Sequence, residues 1–411
     1  MTASSDASTP TYTIRIAKTL ADVDATAWDG CANPLDGALD PGDDAQKERF
    51  NPFISYAFLN ACETSGSATA RTGWSPMHVL VEDDAGALVA CAPCYMKTHS
   101  MGEYVFDYAW ADAYERAGGR YYPKMQVSAP FTPAQGRRLL VRPGEGADNA
   151  RAALIAGLKV VREKTGASSI HITFPLKSEC DALEDADFLS RTGKQFHFFN
   201  RGYQTFDDFL ADLASRKRKV VKRERRDALA SDIEIHRLTG ADITEEHWDA
   251  FFHFYVDTGS RKWGQPYLTR AFFSDIGATM PERVLLVMAK RAGKWIAGAI
   301  NFIGDDALYG RNWGAVEHHP FLHFEVCYYQ AIEFAISRGL SRVEAGAQGE
   351  HKLARGYAPV TTWSSHFLAD KRFARAVADF LRQEREAISD AIEVYGEHVP
   401  FRRDLSREES E

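Results

Sequence analysis

Hydrophobic and polar positions change period several times along this chain, and each change predicts an element. RVLLVMAK (283–290) and WIAGAINF (295–302) are continuous or alternating apolar runs, Gly304-Asp305-Asp306 is a turn signal, and ALYGRNW resumes the strand pattern. Period-two alternation puts Tyr309, Arg311 and Trp313 on one face of that third strand. LHFEVCYYQAIEFAISRG then has helical spacing and stops at Gly339, a C-terminal cap. SRVEAGAQGEHK opens as a strand, with Val343, Ala345 and Ala347 on one face and Glu344, Gly346 and Gln348 on the other. A carboxylate inside an interior strand is costly unless it is paired or used, which singles out Glu344.

The same reading of the first half predicts strands at 11–18, 77–82 and 87–98, the strand SSIHITF and a strand at 195–203. Helices are predicted near 20–30, 52–64, 147–165 and 178–190. In the second half it predicts strands at 232–238, 283–290, 295–303 and 307–314, a strand from Ser341 and the strand TTWSSHFL. Helices fall at 243–258, 267–278 and 322–338, with a short one after Gly349. The two halves share one order of elements, so the expected class is α+β, with a mixed, mostly antiparallel sheet flanked by helices in each half. The expected domains are 1–204, with an aromatic-rich insertion at about 99–146; a connecting helix at 205–231; 232–369, the half expected to be catalytic; and a C-terminal helix and polar tail at 370–411.

The connecting segment adds a charge feature. Thr205 and Asp208 fit a capping box, and Phe206, Phe209, Leu210, Leu213, Val220 and Val221 form one apolar sector. Of the eleven residues from Arg216 to Arg226, eight are Lys or Arg: Arg216, Lys217, Arg218, Lys219, Lys222, Arg223, Arg225 and Arg226. Such a run is either a solvated face or a site for a polyanion, phosphate or tRNA, that offsets like-charge repulsion. The chain as a whole carries a formal net charge of −8, which argues against general affinity for nucleic acid but not against a local patch.

No apolar run is long enough to span a bilayer, and MTASSDASTP lacks the regions of a secretory signal, so the expected location is the cytoplasm. Cys91 and Cys94 sit inside a strand pattern without a second pair, which reads as two buried thiols rather than a zinc or redox site. No metal or bound cofactor is expected.

The strand, helix, helix, strands, helix, strand order resembles the GNAT acyltransferase fold, and two such units joined by a basic helix resemble the Fem-type aminoacyltransferases and their FemAB-like relatives. RKVVKRERR (218–226) is similar to that family's basic helix, R-x-N-I-R-K-A-x-K, with Val220 in place of Asn and Glu224 in place of Ala. SSIHITF, RKWGQPYLTR, YGRNWG, HFEVCYYQAIEFA and VEAGAQGEHKLARGY also look like the soluble FemAB-like branch. The resemblance implies tandem GNAT-like domains and transfer of an acyl or aminoacyl group to an amine, with a cell-wall precursor among the acceptors. It implies aminoacyl-tRNA as donor, with an acyl carrier protein or other thioester as the alternative. CoA-dependent GNAT enzymes carry R/Q-x-x-G-x-G/A before the main helix; VEHHPFLHFEV has no glycine there, which disfavours acetyl-CoA.

Acyl transfer needs a positioned neutral amine, stabilisation of the oxyanion and a route for the proton. The candidates for proton handling are Glu344, Glu325 and His323, with a structural ion pair to a nearby Arg as the competing role for Glu344. Arg311, Lys352 and Arg355 are candidates for charge stabilisation. His351 is placed to contact substrate or cap its turn, and Gln348 shares the Glu344 face. Tyr309 and Trp313 line a cleft or belong to the core, while Arg261 and Lys262 are candidates for phosphate or carboxylate. His171 holds in the first half the place Glu344 holds in the second, as a substrate contact or a satisfied core histidine.

Overall fold

The computed structural model describes residues 11–34, 50–262, 266–346 and 349–402, with the side chain of Lys262 excluded. The chain divides into two units. One comprises Met1–Pro130, Gln135–Ser190 and Trp363–Asp379; the other comprises Phe131–Ala134, Arg191–Thr362 and Phe380–Glu411. The expected boundary at 204/205 is therefore displaced to 190/191. Two pieces of chain also belong to units other than those their sequence position implies.

In the first unit the elements are β1 (Thr13–Ala17), α1 (Ala25–Ala32), α2 (Tyr56–Thr64), β2 (Trp74–Pro76), β3 (His78–Glu82), β4 (Leu88–Ala92), β5 (Cys94–Lys97) and α3 (Tyr108–Arg116). They continue with β6 (Lys124–Val127), β7 (Leu140–Val141), α4 (Ala147–Thr165), β8 (Ser169–Thr173) and α5 (Lys177–Glu184). One sheet has the order β1-β3-β4-β7, and β8, β6, β5 and β2 follow one another in a second set, with residues 364–368 antiparallel to β8. The single strand expected at 87–98 is two strands, because Pro93 has no N–H to give a ladder and the chain changes sheet there. Leu154, Leu158 and Val161, at helical spacing on α4, meet Val79, Val81, Ile170 and Ile172 in the core.

The second unit begins within β9 (Leu189–Phe199) and continues with α6 (Phe206–Asp212), α7 (Ser215–Ala228), β10 (Ile233–Thr239), α8 (Glu245–Lys262), α9 (Arg270–Thr279), β11 (Val284–Arg291), β12 (Lys294–Ile303) and β13 (Ala307–Ala315). Next come α10 (Leu322–Phe324), a π-helical segment Glu325–Tyr329, α11 (Gln330–Ser337), β14 (Arg342–Glu344), a 3-10 turn Glu350–Arg355, and then β15 (Tyr357–Leu368) and α12 (Lys371–Glu397), whose residues 363–368 and 371–379 belong to the first unit. The strand order is β10-β11-β12-β13-β14-β9-β15, with β13 and β14 parallel. The one connecting helix expected at 205–231 is two. Leu213 is fully buried with an extended ψ of 144°, and the Ala214 N–H bonds Pro400 O instead of the helix ladder. The Thr205–Asp208 capping box is present.

Register decides which side chains meet. Asn301 pairs with Gly310, but Ala299 pairs with Trp313, so Arg311 and Asn312 both stand against Ile300 in a β-bulge. Tyr309 lies opposite Phe302 and Trp313 opposite Ala299, and residues 299 and 302 project to opposite faces. Tyr309 and Trp313 therefore do not share a face, contrary to the alternation read from sequence. Trp313, Leu308, Val343 and Phe198 meet the core beneath the helices, whereas Tyr309, Glu344 and His197 project from the other side. β14 also ends at Glu344, so the alternation expected through Gln348 stops there; Ala347 and Gln348 lie outside the described residues.

Candidate functional site

The parallel pairing of β13 with β14 runs from Ala307↔Arg342 to Tyr309↔Glu344, and the polar groups of the second unit gather just past its end. On the helical side, Lys352 is 1% exposed and its Nζ donates to Ala345 O at 2.6 Å and Gly346 O at 3.1 Å. Among the described residues no carboxylate pairs with it. Burial disfavours the charged form and pulls its pKa down to about 8. The preceding residue, His351, is exposed, and its Nε2 lies 2.9 Å from the Tyr328 hydroxyl. Partial burial of the ring, and then the charges of Arg355 and Lys352, lower the His351 pKa, which favours the neutral ring. Gly349, at φ +113°, makes this turn feasible: a Cβ there would lie 2.6 Å from the His351 ring.

His323 packs edge-on against Trp313 at 5.2 Å and Tyr328 at 5.3 Å, which completes a half-buried aromatic wall. Tyr328 and Cys327 belong to the π segment, whose wider turn interrupts the helix expected at 322–338. The sequence singled out His323 but not Tyr328, because an aromatic at helical spacing reads as core.

On the other face, Glu344 is 3% exposed and accepts from Arg342 Nε at 3.0 Å, with His197 Nε2 3.9 Å from its second oxygen. Arg342 also pairs with Asp306. Burial, helped by the charges of Arg342 and Lys352, pulls the His197 pKa down to about 3. Glu344 thus holds the ion pair named as its competing role, and the sheet separates it from His351 and Trp313. Tyr309 is 1% exposed beside this pair. Arg311 donates to the Phe131 carbonyl, and the Phe131 ring stacks on Tyr267 at 5.0 Å. Arg342 and His197 were legible in principle, since RVE and QFHFF alternate charged or polar with apolar residues at strand spacing.

Three expected site residues are engaged elsewhere. Glu325 is fully buried and bonded by Arg225 and Gln330, which makes it a structural partner instead of a proton carrier. Arg225 also bonds Glu333, so it leaves the polyanion face. Arg355 makes a two-pronged pair with Glu224 and is not directed at a substrate. Of the rest of the basic run, Arg216, Lys219, Lys222, Arg223 and Arg226 are exposed; Lys217 and Arg218 are half-buried. Arg226 bonds the neighbouring Asp227. Arg261, at the end of α8, bonds Asp257 and Ala315 O.

His171 lies in the first unit, 1% exposed. Its Nε2 is 2.7 Å from Ser169 Oγ and 3.3 Å from the Tyr121 hydroxyl, and its Nδ1 is 2.7 Å from His366 Nδ1. Tyr121 donates to Asp107, which with Glu103 and Ser100 accepts from Lys124. This ring is a satisfied core histidine in a buried polar chain. Cys91 and Cys94 are fully buried, and burial pushes Cys94 up to about 12.

Two α+β units, the second parting between parallel strands beside a helix, define a tandem GNAT fold. The crystal structure of FemX superposes with a TM-score of 0.54 at 12% identity, covering 87% of this chain and 98% of that one. The structure of L-PGS from Bacillus licheniformis (TM-score 0.46, 7% identity, covering 83% and 96%) and a tandem GNAT protein from the clavulanic acid biosynthesis pathway (0.44, 12%, covering 88% and 99%) are also similar. No curated protein matches significantly. The chain belongs to the FemAB-like family, described as peptidoglycan biosynthesis/recognition, whose profile matches residues 19–403.

Proposed function

We propose that the protein is an N-acyltransferase that moves an aminoacyl group from an RNA-borne ester to an amine of a cell-wall precursor. The observation that carries this reading is Lys352, a buried lysine with no carboxylate partner among the described residues, next to a neutral His351. The amine nitrogen attacks the acyl carbon, the C–N bond forms and the ester C–O bond breaks. His351 takes the proton from the attacking amine, and Lys352 as ammonium stabilises the oxyanion and gives its proton to the departing oxygen. A lysine whose pKa is about 8 is a better acid for this step than an ordinary one.

The exposed bases of α7 suit the phosphates of the donor. CoA suits the chain less well. Where the CoA-dependent pattern has glycines, Glu317 is paired with Arg291 and His319, and a carboxylate opposes a pyrophosphate. The test is a donor panel of mixed aminoacyl-tRNAs, acyl-CoAs and acyl carrier proteins with amine acceptors, read by mass spectrometry. An amide formed only with aminoacyl-tRNA, and lost in Lys352→Met, is expected. Salt-dependent RNA binding without product from any donor would replace catalysis with a binding role.

A further inference from the structure

α7 is basic on its exposed face but acidic at one buried point. Glu224 is 4% exposed within a run of bases. Arg355 Nε donates to Glu224 Oε2 at 3.1 Å and Nη2 to Oε1 at 2.8 Å, while the Tyr329 hydroxyl donates to Oε2. Arg355 closes the turn that carries His351 and Lys352; its Nη1 donates to His351 O at 2.6 Å, and its guanidinium lies 3.4 Å from the Phe324 ring centroid. One residue along α7, Arg225 bonds Glu325 at the start of the π segment and Glu333 beyond it. Two adjacent residues of the helix are thus bonded to the two segments that present His351, Lys352 and Tyr328.

A carboxylate buried in this way is costly, and a buried ion pair is weak evidence of a stabilising purpose, because apolar residues of similar volume often serve stability better. A two-pronged Arg–carboxylate pair, however, fixes distance and plane together, which one apolar contact does not. We propose that Glu224 and Arg355 are positioning residues, which hold the turn bearing His351 and Lys352 in register with α7, so that a polyanion on the basic face is aligned with the reacting groups. This rests on the transferase reading above. Neither residue touches substrate in it.

The experiment compares the wild-type protein with Glu224→Gln, Arg355→Lys and the double variant Glu224→Ala with Arg355→Met, which strands no charge. Each single variant is expected to lose at least about tenfold in kcat with the KM for aminoacyl-tRNA within about twofold, because orientation is lost and the binding face is not. The double variant should keep the wild-type melting temperature and still turn over slowly. Wild-type kcat in a folded double variant, or a loss confined to KM, would overturn the proposal. A readout independent of turnover is hydrogen exchange of a peptide covering 349–357. It should quicken about tenfold in Glu224→Gln with other peptides unchanged, and a short single-stranded RNA should slow it in the wild type but not in the variant. An RNA that leaves wild-type exchange unchanged there overturns the alignment. If the exchange responses hold while no donor is ever used, the transferase reading fails and the positioning role stands.

Discussion

Two buried lysines, one in each unit, differ in what surrounds them, and the difference separates a locked proton from a transferable one. Lys124 is fully buried, and its Nζ bonds Glu103 at 2.7 Å, Asp107 at 2.5 Å and Ser100 Oγ at 2.8 Å. Burial works against its charge, but the two carboxylates outweigh it and its pKa rises. Lys352 is as deeply buried and has only two backbone carbonyls, so desolvation wins and its pKa falls to about 8. Carboxylates lock a proton on a buried amine. Carbonyls leave it transferable near neutral pH.

The largest effect that tests this contrast is in the first unit. Lys124→Met removes the ammonium that bonds both Glu103 and Asp107 in the buried chain, and should cost about 3–5 kcal/mol of unfolding free energy, measured by denaturant titration. Burial pushes Asp107 up, but Lys124 and then His171 hold it well below the carboxylate range, and this sets the sign with pH. The contribution of Asp107 is present above the unfolded pKa and is lost as pH falls through the folded one. An Lys124→Met protein as stable as the wild type would break the contrast.

Next in size, Lys352→Met should lower kcat by roughly 100-fold, as loss of one oxyanion donor does, with stability kept because no carboxylate is stranded. The wild-type rate should fall as pH rises through about 8, where Lys352 loses its proton, and Lys352→Arg should carry that limb upward. Because its folded pKa lies below the unfolded one, Lys352 makes stability increase from about pH 8 towards the ordinary lysine value. A pH–rate profile that Lys352→Arg leaves in place would remove Lys352 from the chemistry.

A smaller effect is expected at Arg216, Lys219 and Lys222. Replacing all three with Glu should flatten the salt dependence of RNA binding by roughly 0.7 in log–log slope for each phosphate that is no longer neutralised. An unchanged slope would return the run to the solvated-face reading. The smallest is at Lys97. It is buried beside Lys124 and lies 3.6 Å from the Trp74 ring centroid, and burial pulls its pKa down to about 7 although Glu103 is 3.7 Å away. Lys97→Met should change stability less than Lys124→Met does, by about 1 kcal/mol, since with a pKa of about 7 only about half a charge is lost at pH 7. A loss as large as that of Lys124→Met would mean that the two lysines share Glu103 equally.

Much of the fold could be read in advance, because periodicity reports which face of an element is buried. The long helix 147–165, the capping box at Thr205 and the turn at Gly304 to Asp306 were all visible in this way. What failed were features that need a partner. The bulge opposite Ile300 turns Trp313 away from Tyr309, and the π segment re-aims Tyr328; neither leaves a mark in the alternation of residue types. The site suffered in the same way. The turn that carries His351 and Lys352 was expected and is present, but nothing local revealed that Arg355, at its end, is committed to Glu224 more than a hundred residues earlier in the chain.

By itself the sequence determined the class of fold, the family and the existence of a basic helix, since these depend on pattern, composition and spacing within short stretches. Tertiary structure alone decided which charges are paired. Arg225, Arg355 and Glu325 are neutralised by residues distant in sequence, while Lys352 meets no carboxylate among the described residues. The free energy of a buried charge depends on what the fold brings within a few ångströms of it.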